Sequence, residues 1–563
     1  MKKIRYILFA ATALIGATLL VFAVRNDFGL GRNMELMINM MRTISTYYVD
    51  DVNPDKLMTD AAAGMTRNLD PYTTYLSEEE MSDFDFLTTG KYGGVGSLIR
   101  KRGDYIVFAQ PYKGSPADRA GLKIGDQIIA INGKSAKGFT TAEVSKQLKG
   151  NPGSSITITI ESLYTGQQKE ITLLRERIAI PGVPYAAYIA DGIGYIQHDD
   201  FTEGCYEEMR ASIEQLRHSG ELKGLILDYR SNGGGILQEA VKILSLFVPK
   251  GIEVVSTKGR TESSKRSFRT TTEPILPNLP LVVLINGNTA SAAEIVAGAL
   301  QDLDRAVLIG QKSYGKGLVQ TTRPLGYNAY IKLTTAKYYI PSGRCIQAID
   351  YSSHKTDGGT KVADSLTRAV TTKGGRTVYD GGGITPDVKL EPQYVSRFAI
   401  TLYAMGFIED FVDSYMKKHY KEAINNATFS ITDADYDAFV AFMADKKVPY
   451  ESATRQLLHS MQEAAKSDHF TAVQEQISDL EKNLKDDKQA NLQTYRREII
   501  EAINSDIVLR HSYTQGVIEY NIPKDLDIRR AIELLTEPTA YRALLTPKTE
   551  CETPSDPVTK PSK

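Results

Sequence analysis

Two short stretches carry residue types suited to acyl transfer, Asn288-Thr-Ala-Ser-Ala-Ala-Glu294 and Ser313-Tyr-Gly-Lys-Gly-Leu-Val-Gln320. The first offers a nucleophile, Ser291, and the second a base, Lys316. A serine hydroxyl attacks poorly until a base within hydrogen-bond reach takes its proton. A lysine serves once desolvation disfavours its ammonium form. Lys316 lies between Gly315 and Gly317, which leave the backbone uncrowded, and beside Tyr314, Leu318 and Val319, which are apolar enough to desolvate it. If Leu318–Thr321 is extended, Gln320 is placed to hold the lysine amine by a hydrogen bond.

Leu281-Val-Val-Leu-Ile285 reads as a buried strand, Asn286-Gly-Asn288 as a tight turn, and Ser291 to about Gln301 as an Ala-rich helix. A serine there stands on a sharp turn at a helix N-terminus, where N–H groups can stabilise the charge that develops in acyl transfer. A blander reading fits the same residues. Ser291 with Glu294 matches a capping box, and a Gly-Lys-Gly loop is ordinarily a solvated turn carrying an exposed lysine. A third segment, Gly224-Leu-Ile-Leu-Asp-Tyr-Arg-Ser-Asn-Gly-Gly-Gly-Ile236, is a strand ending in a glycine-rich turn. Successive glycines let backbone N–H groups approach a ligand closely. The segment lacks the Lys-Ser/Thr ending of a phosphate loop and the spacing of a dinucleotide fingerprint, which argues against a nucleotide site.

Together these motifs resemble the carboxyl-terminal processing proteases, PDZ-containing serine proteases that use a Ser-Lys pair. The family's nucleophile motif matches Thr289–Glu294, its lysine motif Tyr314–Gln320, and its Asp-Leu-Arg-Asn-Asn-Pro-Gly-Gly run Asp228–Gly235. Further matches are Leu69–Leu76, Tyr339–Arg344 and Gly383–Val388, so the resemblance covers roughly residues 35–390. It implies Ser291 as nucleophile, Lys316 as general base and Gln320 as the residue positioning the lysine. It also implies an oxyanion hole made by the backbone N–H of Ala292 with one from the Gly234 region. The chain departs from the pattern at Gly233, where the family has proline, and at Ser231, where it has asparagine; both changes loosen the turn.

Residues from about Lys91 to Arg177 resemble the family's PDZ domain, with Tyr92-Gly-Gly-Val-Gly96 preceding the strand Ser97–Arg100 and a long signature at Gly114–Gly133. A glycine turn at Gly93, Gly94, Val95 and Gly96 presents N–H groups to a peptide's terminal carboxylate while the strand edge at Leu98 pairs with its backbone. The helix Thr141–Leu148 forms the second wall, with Val144 and Leu148 facing the groove; alternatively the glycines only shape a hairpin and both apolar residues are core.

At 563 residues the chain exceeds what one core supports. Its 42% apolar and 24% charged residues are ordinary for a folded chain, and a formal net charge of −1 points neither to nucleic acid nor to an acidic lipid surface. Met1–Arg5 is basic and Tyr6–Val24 is an uncharged apolar run. That pattern is an export signal or a signal anchor, with the remainder outside the inner membrane. Cys205, Cys345 and Cys551 give no disulfide framework, and neither they nor the seven histidines show metal-ligand spacing, so neither metal nor cofactor is expected. Cys345 follows the Pro341–Arg344 match, which would bring it near the active site; the commoner reading of such a residue is a small buried strand residue.

The division expected is 1–24 signal peptide or anchor, 25–88 an N-terminal helical segment, 89–178 the PDZ domain, 179–390 the Ser-Lys protease core, 391–544 a C-terminal helical domain and 545–563 a disordered tail. Met34, Leu36, Met37, Met40 and Met41 form an apolar stripe, ordinarily core, on a segment that also mediates dimerisation in related proteases. The basic Pro249–Pro280 region reads as a solvated face. The C-terminal helices show apolar periodicity without catalytic clusters and read as an accessory domain that docks a partner or adaptor, caps the protease, or contacts another subunit.

The expected fold class is α/β multidomain, a split β-sheet and helix protease core with an inserted PDZ domain and a C-terminal helical domain. The expected function is a serine endopeptidase of the bacterial envelope or periplasm, exported and soluble or tethered by residues 6–24, that takes protein or peptide substrates by their C-termini. The competing reading is a catalytically silent PDZ scaffold in which Ser291 is only a helix cap.

Overall fold

The computed structural model of the protein describes residues 29–351, 360–361, 367–484 and 487–547. The apolar run Tyr6–Val24, Cys551 and the Thr/Pro/Lys-rich tail from 548 onward lie outside the described residues. Among the described residues no helix is long and apolar enough to cross a membrane. The chain divides into two compact units, drawn from the segments Met1–Ser82, Gln320–Thr335 and Asp350–Thr360 and from Asp83–Val319, Ala336–Ile349 and Lys361–Lys563.

The larger unit is organised by a six-stranded sheet in the order Tyr185–Ala190, Ile193–Gln197, Gly224–Asp228, Leu281–Ile285, Val307–Gly310 and Val388–Lys389. The first pair is antiparallel and all others are parallel. Spatial order follows chain order, so right-handed crossovers deliver every connecting helix to one face. Cys205–Ser219, Leu237–Leu244 and Ala292–Asp302 pack there on Leu225, Leu227, Leu281, Val283 and Leu308. Strand side chains alternate, so Ile226, Val282, Leu284, Val307 and Ile309 face the opposite way and also need cover. The helices Leu526–Thr536 and Pro538–Leu544 provide it through Ile528, Ala531, Leu534, Leu535 and Tyr541. Burial on both faces explains the uninterrupted apolar run Leu281–Ile285.

The same topology concentrates function. Loops leaving the carboxyl ends of neighbouring parallel strands emerge side by side. The glycine-rich turn follows Asp228, the Ser291 turn follows Ile285, and the Lys316 loop follows Gly310. These ends belong to the third, fourth and fifth strands of the sheet.

Within the same unit the PDZ segment forms an antiparallel sheet, Ser97–Arg102, Tyr105–Pro111, Gln127–Ile131, Ser155–Glu161 and Gln168–Leu174 in that order, closed by the helix Thr141–Leu148. Thr140 and Glu143 form a reciprocal capping box at that helix's start. The helical residues after 391 have their own core of Phe398, Phe411, Tyr436, Phe439, Ile499 and Ile503. The PDZ strand Ser97–Arg102 joins this region through ion pairs of Arg100 with Glu409 and of Arg102 with Asp410 and Asp413. Arg510, wholly buried, pairs with Asp413 at 2.6 Å and Asp506 at 3.2 Å.

In the smaller unit a helix over residues 29–47 precedes the helix Pro54–Thr66, which Asn53 caps by accepting N–H bonds from Asp55 and Lys56. The apolar stripe expected to be core is corrected here: Met34, Leu36 and Met40 are exposed, and only Met37, Met41 and Ile44 are partly covered. The helix meets neighbours along one narrow line. The Leu69–Leu76 motif is a turn around Asp70, whose Oδ1 accepts N–H bonds from Tyr72 and Thr73 and a hydroxyl bond from Thr334 at 3.1 Å.

Candidate active site

Ser291 precedes the helix Ala292–Asp302, of which every residue is buried. Its φ of 54° and ψ of −116° lie outside the β-region backbone of a serine that caps through its hydroxyl. A non-glycine residue at positive φ is costly and persists only where its surroundings impose it. The capping box with Glu294 is nonetheless formed. The Glu294 carboxylate does reach back to the Ser291 N–H, at 2.8 Å, and it reaches further.

Glu294 Oε2 also accepts the Lys316 N–H at 2.9 Å, while Oε1 accepts the Ser313 hydroxyl at 2.6 Å and the Gly315 N–H at 2.7 Å. One wholly buried carboxylate thus ties the serine turn to the lysine loop. Burial pushes Glu294 up to about 7, against the downward pull of its hydrogen bonds from Ser313, Lys316, Gly315 and Ser291. All four partners donate, and an ionised carboxylate is the form that accepts from all of them. On the carbonyl side, the Tyr338 hydroxyl lies 2.6 Å from the Lys316 oxygen and 3.2 Å from the Ser291 oxygen. Burial raises the Tyr338 phenol well above its ordinary value, keeping it a donor.

The lysine loop owes its path to its glycines. Gly315 has φ of 85°, and a Cβ there would stand 2.5 Å from the Ala348 Cβ; one on Gly317 would stand 2.9 Å from the Gln347 N. Both glycines are buried against residues 346–348, with the Gly317 N–H donated to Gln347 Oε1 at 2.7 Å. Lys316 is half-buried and Leu318 buried, while Tyr314 is 47% exposed. Gln320 belongs to the smaller unit, where its Nε2 donates to Thr334 Oγ1 at 3.2 Å.

In the glycine-rich turn, Asn232 is wholly buried and uses each of its polar groups. Its N–H donates to the Tyr229 carbonyl, its Nδ2 to the His198 carbonyl at 2.7 Å, and its carbonyl accepts the Ala290 N–H. Its Oδ1 accepts the N–H of Gly234, the residue expected as second oxyanion donor, at 2.8 Å. Gly234 also abuts Ser291: a Cβ there would stand 2.7 Å from the Ser291 Cβ. Ala292, the first helical residue, has no carbonyl within its helix to take its N–H. Ser231, where the family has asparagine, sits at φ of 61°, a region asparagine enters more readily. Its strain is held by Asn286, whose Oδ1 accepts the Ser231 N–H at 2.9 Å. His198 is packed between Phe201 and Tyr229, and burial pushes it down to about 3, so it is a neutral core residue.

Three further expectations change. Val144 and Leu148 are interior residues of the PDZ core, because their helix turns them onto the sheet. Gly93 and Gly94 pair with Arg177 and Glu176 as ladder residues. Glycine is required at Gly93 because a Cβ would stand 2.1 Å from the Gly150 carbonyl. That leaves Val95 and Gly96 at the entry to the edge strand, with Leu98, 51% exposed, on it. Cys345 is half-buried and outside any strand, its thiol pushed up by burial.

Sequence reasoning saw Glu294 only as a cap and passed over Tyr338 and Asn232. The signal for Glu294 was present: a charged residue among Ala292, Ala293, Ile295 and Val296 in a helix with no polar face.

The profile of Peptidase family S41 matches residues 192–356, that of the PDZ domain residues 107–162, and that described as "Probable PDZ-protease, C-terminal helical domain" residues 398–535. The chain is 36% identical over 352 residues to a carboxy-terminal-processing protease of Bartonella bacilliformis, spanning 61% of this chain and 80% of that one. It is 34% identical over 342 residues to a probable CtpA-like serine protease of Staphylococcus aureus, spanning 60% and 68%. Among solved structures, the photosystem II D1 C-terminal processing protease aligns with a TM-score of 0.34 at 26% identity, over 64% of this chain and 94% of that one. The chain is a member of peptidase family S41, a PDZ-containing serine protease of the carboxy-terminal-processing type.

Proposed function

We propose that the protein is a Ser-Lys endopeptidase of the bacterial envelope that engages protein C-termini through its PDZ domain. The observation that carries this reading is the double tie between the two motifs: the N–H groups of Ser291 and Lys316 on one Glu294 oxygen, and their carbonyls on one Tyr338 hydroxyl. A helix cap needs no such link to a lysine loop 25 residues on. In the reaction, neutral Lys316 takes the Ser291 proton as Oγ attacks the scissile carbonyl. The tetrahedral oxyanion forms beside the Ala292 N–H. The Lys316 ammonium returns the proton to the leaving amine, giving an acyl-enzyme. Water, deprotonated by the same amine, then releases the new C-terminal carboxylate. A role for Gln320 in steadying the amine and one for Gly234 as second oxyanion donor complete the scheme; each requires the residue to exchange a present hydrogen-bond partner.

At the PDZ domain, the strand Ser97–Arg102 ends the sheet order and offers its free edge to an extended peptide, with Val95 and Gly96 at the carboxylate end. Binding there raises substrate concentration near Ser291. Export follows from the basic start and apolar run of residues 1–24. The test is cleavage of an unstructured protein by the chain lacking residues 1–24, with added apolar peptides ending in a free carboxylate or an amide. Faster cleavage with the free carboxylate, and a mass-trapped acyl group on Ser291, are expected. Equal stimulation by both peptides would remove PDZ capture of C-termini, and an acyl group on another residue would remove Ser291.

A further inference from the structure

The strand that leads into the glycine-rich turn ends at Asp228, and two residues on stands Arg230, mostly buried and surrounded by three carboxylates. Its Nε and Nη2 grip Asp228 at 3.0 and 2.6 Å, and its backbone N–H donates to the same side chain at 3.0 Å. Asp228 Oδ2 takes a further bond from the Tyr195 hydroxyl at 2.8 Å. The other edge of the guanidinium turns to a distant part of the chain. Nη1 donates to Asp525 at 2.7 Å and to Asp527 at 3.2 Å, at the start of the helix Leu526–Thr536.

Resting on the reading of Ser291 as nucleophile, we propose that Asp525 and Asp527 are positioning residues for the reaction: they hold Arg230, and through it the turn that abuts Ser291. Arg230 precedes Ser231, whose positive φ is sustained by Asn286, and Asn232, which fixes Ala290 and Gly234 beside the nucleophile. A strained turn keeps one shape only when its ends are over-determined. Arg230 supplies the anchor at the entering end, with the planar fork that a guanidinium offers and an ammonium does not.

The apolar surface of the C-terminal helices already accounts for their docking, through Ile528, Ala531, Leu534 and Leu535. Hydrophobic packing does not require two acids beside an already paired arginine. Three carboxylates on one guanidinium leave an excess of negative charge, which costs stability when desolvated. Burial raises Asp527 above its ordinary value, the sign of that cost, while the attraction of Arg230 opposes it. The arrangement makes sense as an anchor whose second half is carried by the C-terminal helical domain, so that the turn is set only when that domain is in place.

The test uses the chain lacking residues 1–24 and compares Asp525→Asn/Asp527→Asn with Tyr541→Phe. Asparagine keeps the size of each side chain, and at 525 it retains an oxygen for the cap on the Ile528 N–H. Tyr541 secures the adjoining helix by accepting the Leu281 N–H at 2.9 Å and donating to the Leu281 carbonyl at 3.0 Å, without touching Arg230. The double variant is expected to lose about tenfold or more in kcat with little change in KM, since small misplacements of reacting groups carry rate costs of this order. Tyr541→Phe is expected to lower Tm but keep the parent's kcat. An unchanged kcat in the double variant, or equal kcat losses in both at equal loss of Tm, would overturn the proposal. Cleavage by the parent chain tests the protease reading itself, so the two failures are read separately.

Discussion

Glu294 carries much of the account at the scale of single residues. Its ordinary value of 4.5 rises to about 7 in the fold. Between those limits the folded chain holds a proton that the unfolded chain has released. The stability Glu294 contributes is therefore fully present below about pH 4.5 and lost as pH rises through 7, by of order 3 kcal/mol. Glutamine does not titrate, so in an inactive Ser291→Ala background the unfolding free energy of Glu294→Gln should gain on its parent by that order between pH 4.5 and 7.5. A gap independent of pH would contradict the assignment. Glu294→Gln in the active chain should also lose about 10²-fold in kcat, because an amide NH2 then faces two donors where a carboxylate oxygen stood. Four donors converge on this acid and oppose the upward push of burial, and each belongs to the Ser291 turn or the Lys316 loop.

At the scale of elements, sequential strand order sends all crossover helices to one face, and the C-terminal helices must close the other. Leu534 lies in that second core beside Ile226 and Val282. Leu534→Ala should therefore cost about 2–5 kcal/mol, as for any core leucine. A loss well under 1 kcal/mol by chemical denaturation would make those helices an appendage. Much of this was legible in the sequence. The run Leu281–Ile285 announced a strand buried on both faces, the turn before Ser291 announced a helix start, and the glycines around Lys316 announced close backbone approach. What stayed hidden was pairing across distance. Nothing local marks Asp525 and Asp527 as partners of Arg230, 295 and 297 residues away. The PDZ helix misled for a related reason: its period shows that Val144 and Leu148 share a face, but not whether that face meets a groove or a core. The exposed methionines of residues 29–47 misled likewise, since a stripe shows amphipathicity and not what covers it.

For the whole molecule, the larger unit is bound together by ionic contacts that cross its parts. Arg102 and Arg510 bring the PDZ strand and the helical region onto Asp413, and Arg230 brings the glycine-rich turn onto the C-terminal helix. The PDZ domain, the protease core and the C-terminal helical domain are thereby parts of one unit. The central claim is that hydrolysis is carried by Ser291 and Lys316. It is tested most directly by cleavage of an unstructured protein with an apolar C-terminus, using the chain lacking residues 1–24, Ser291→Ala and Lys316→Ala, with circular dichroism to confirm the fold. Cleavage by the parent and its loss in both variants with folding intact are expected. Cleavage that survives either substitution, or a parent that stays silent even with added C-terminal peptide, would contradict that claim and favour a scaffold that reads peptides without cutting them.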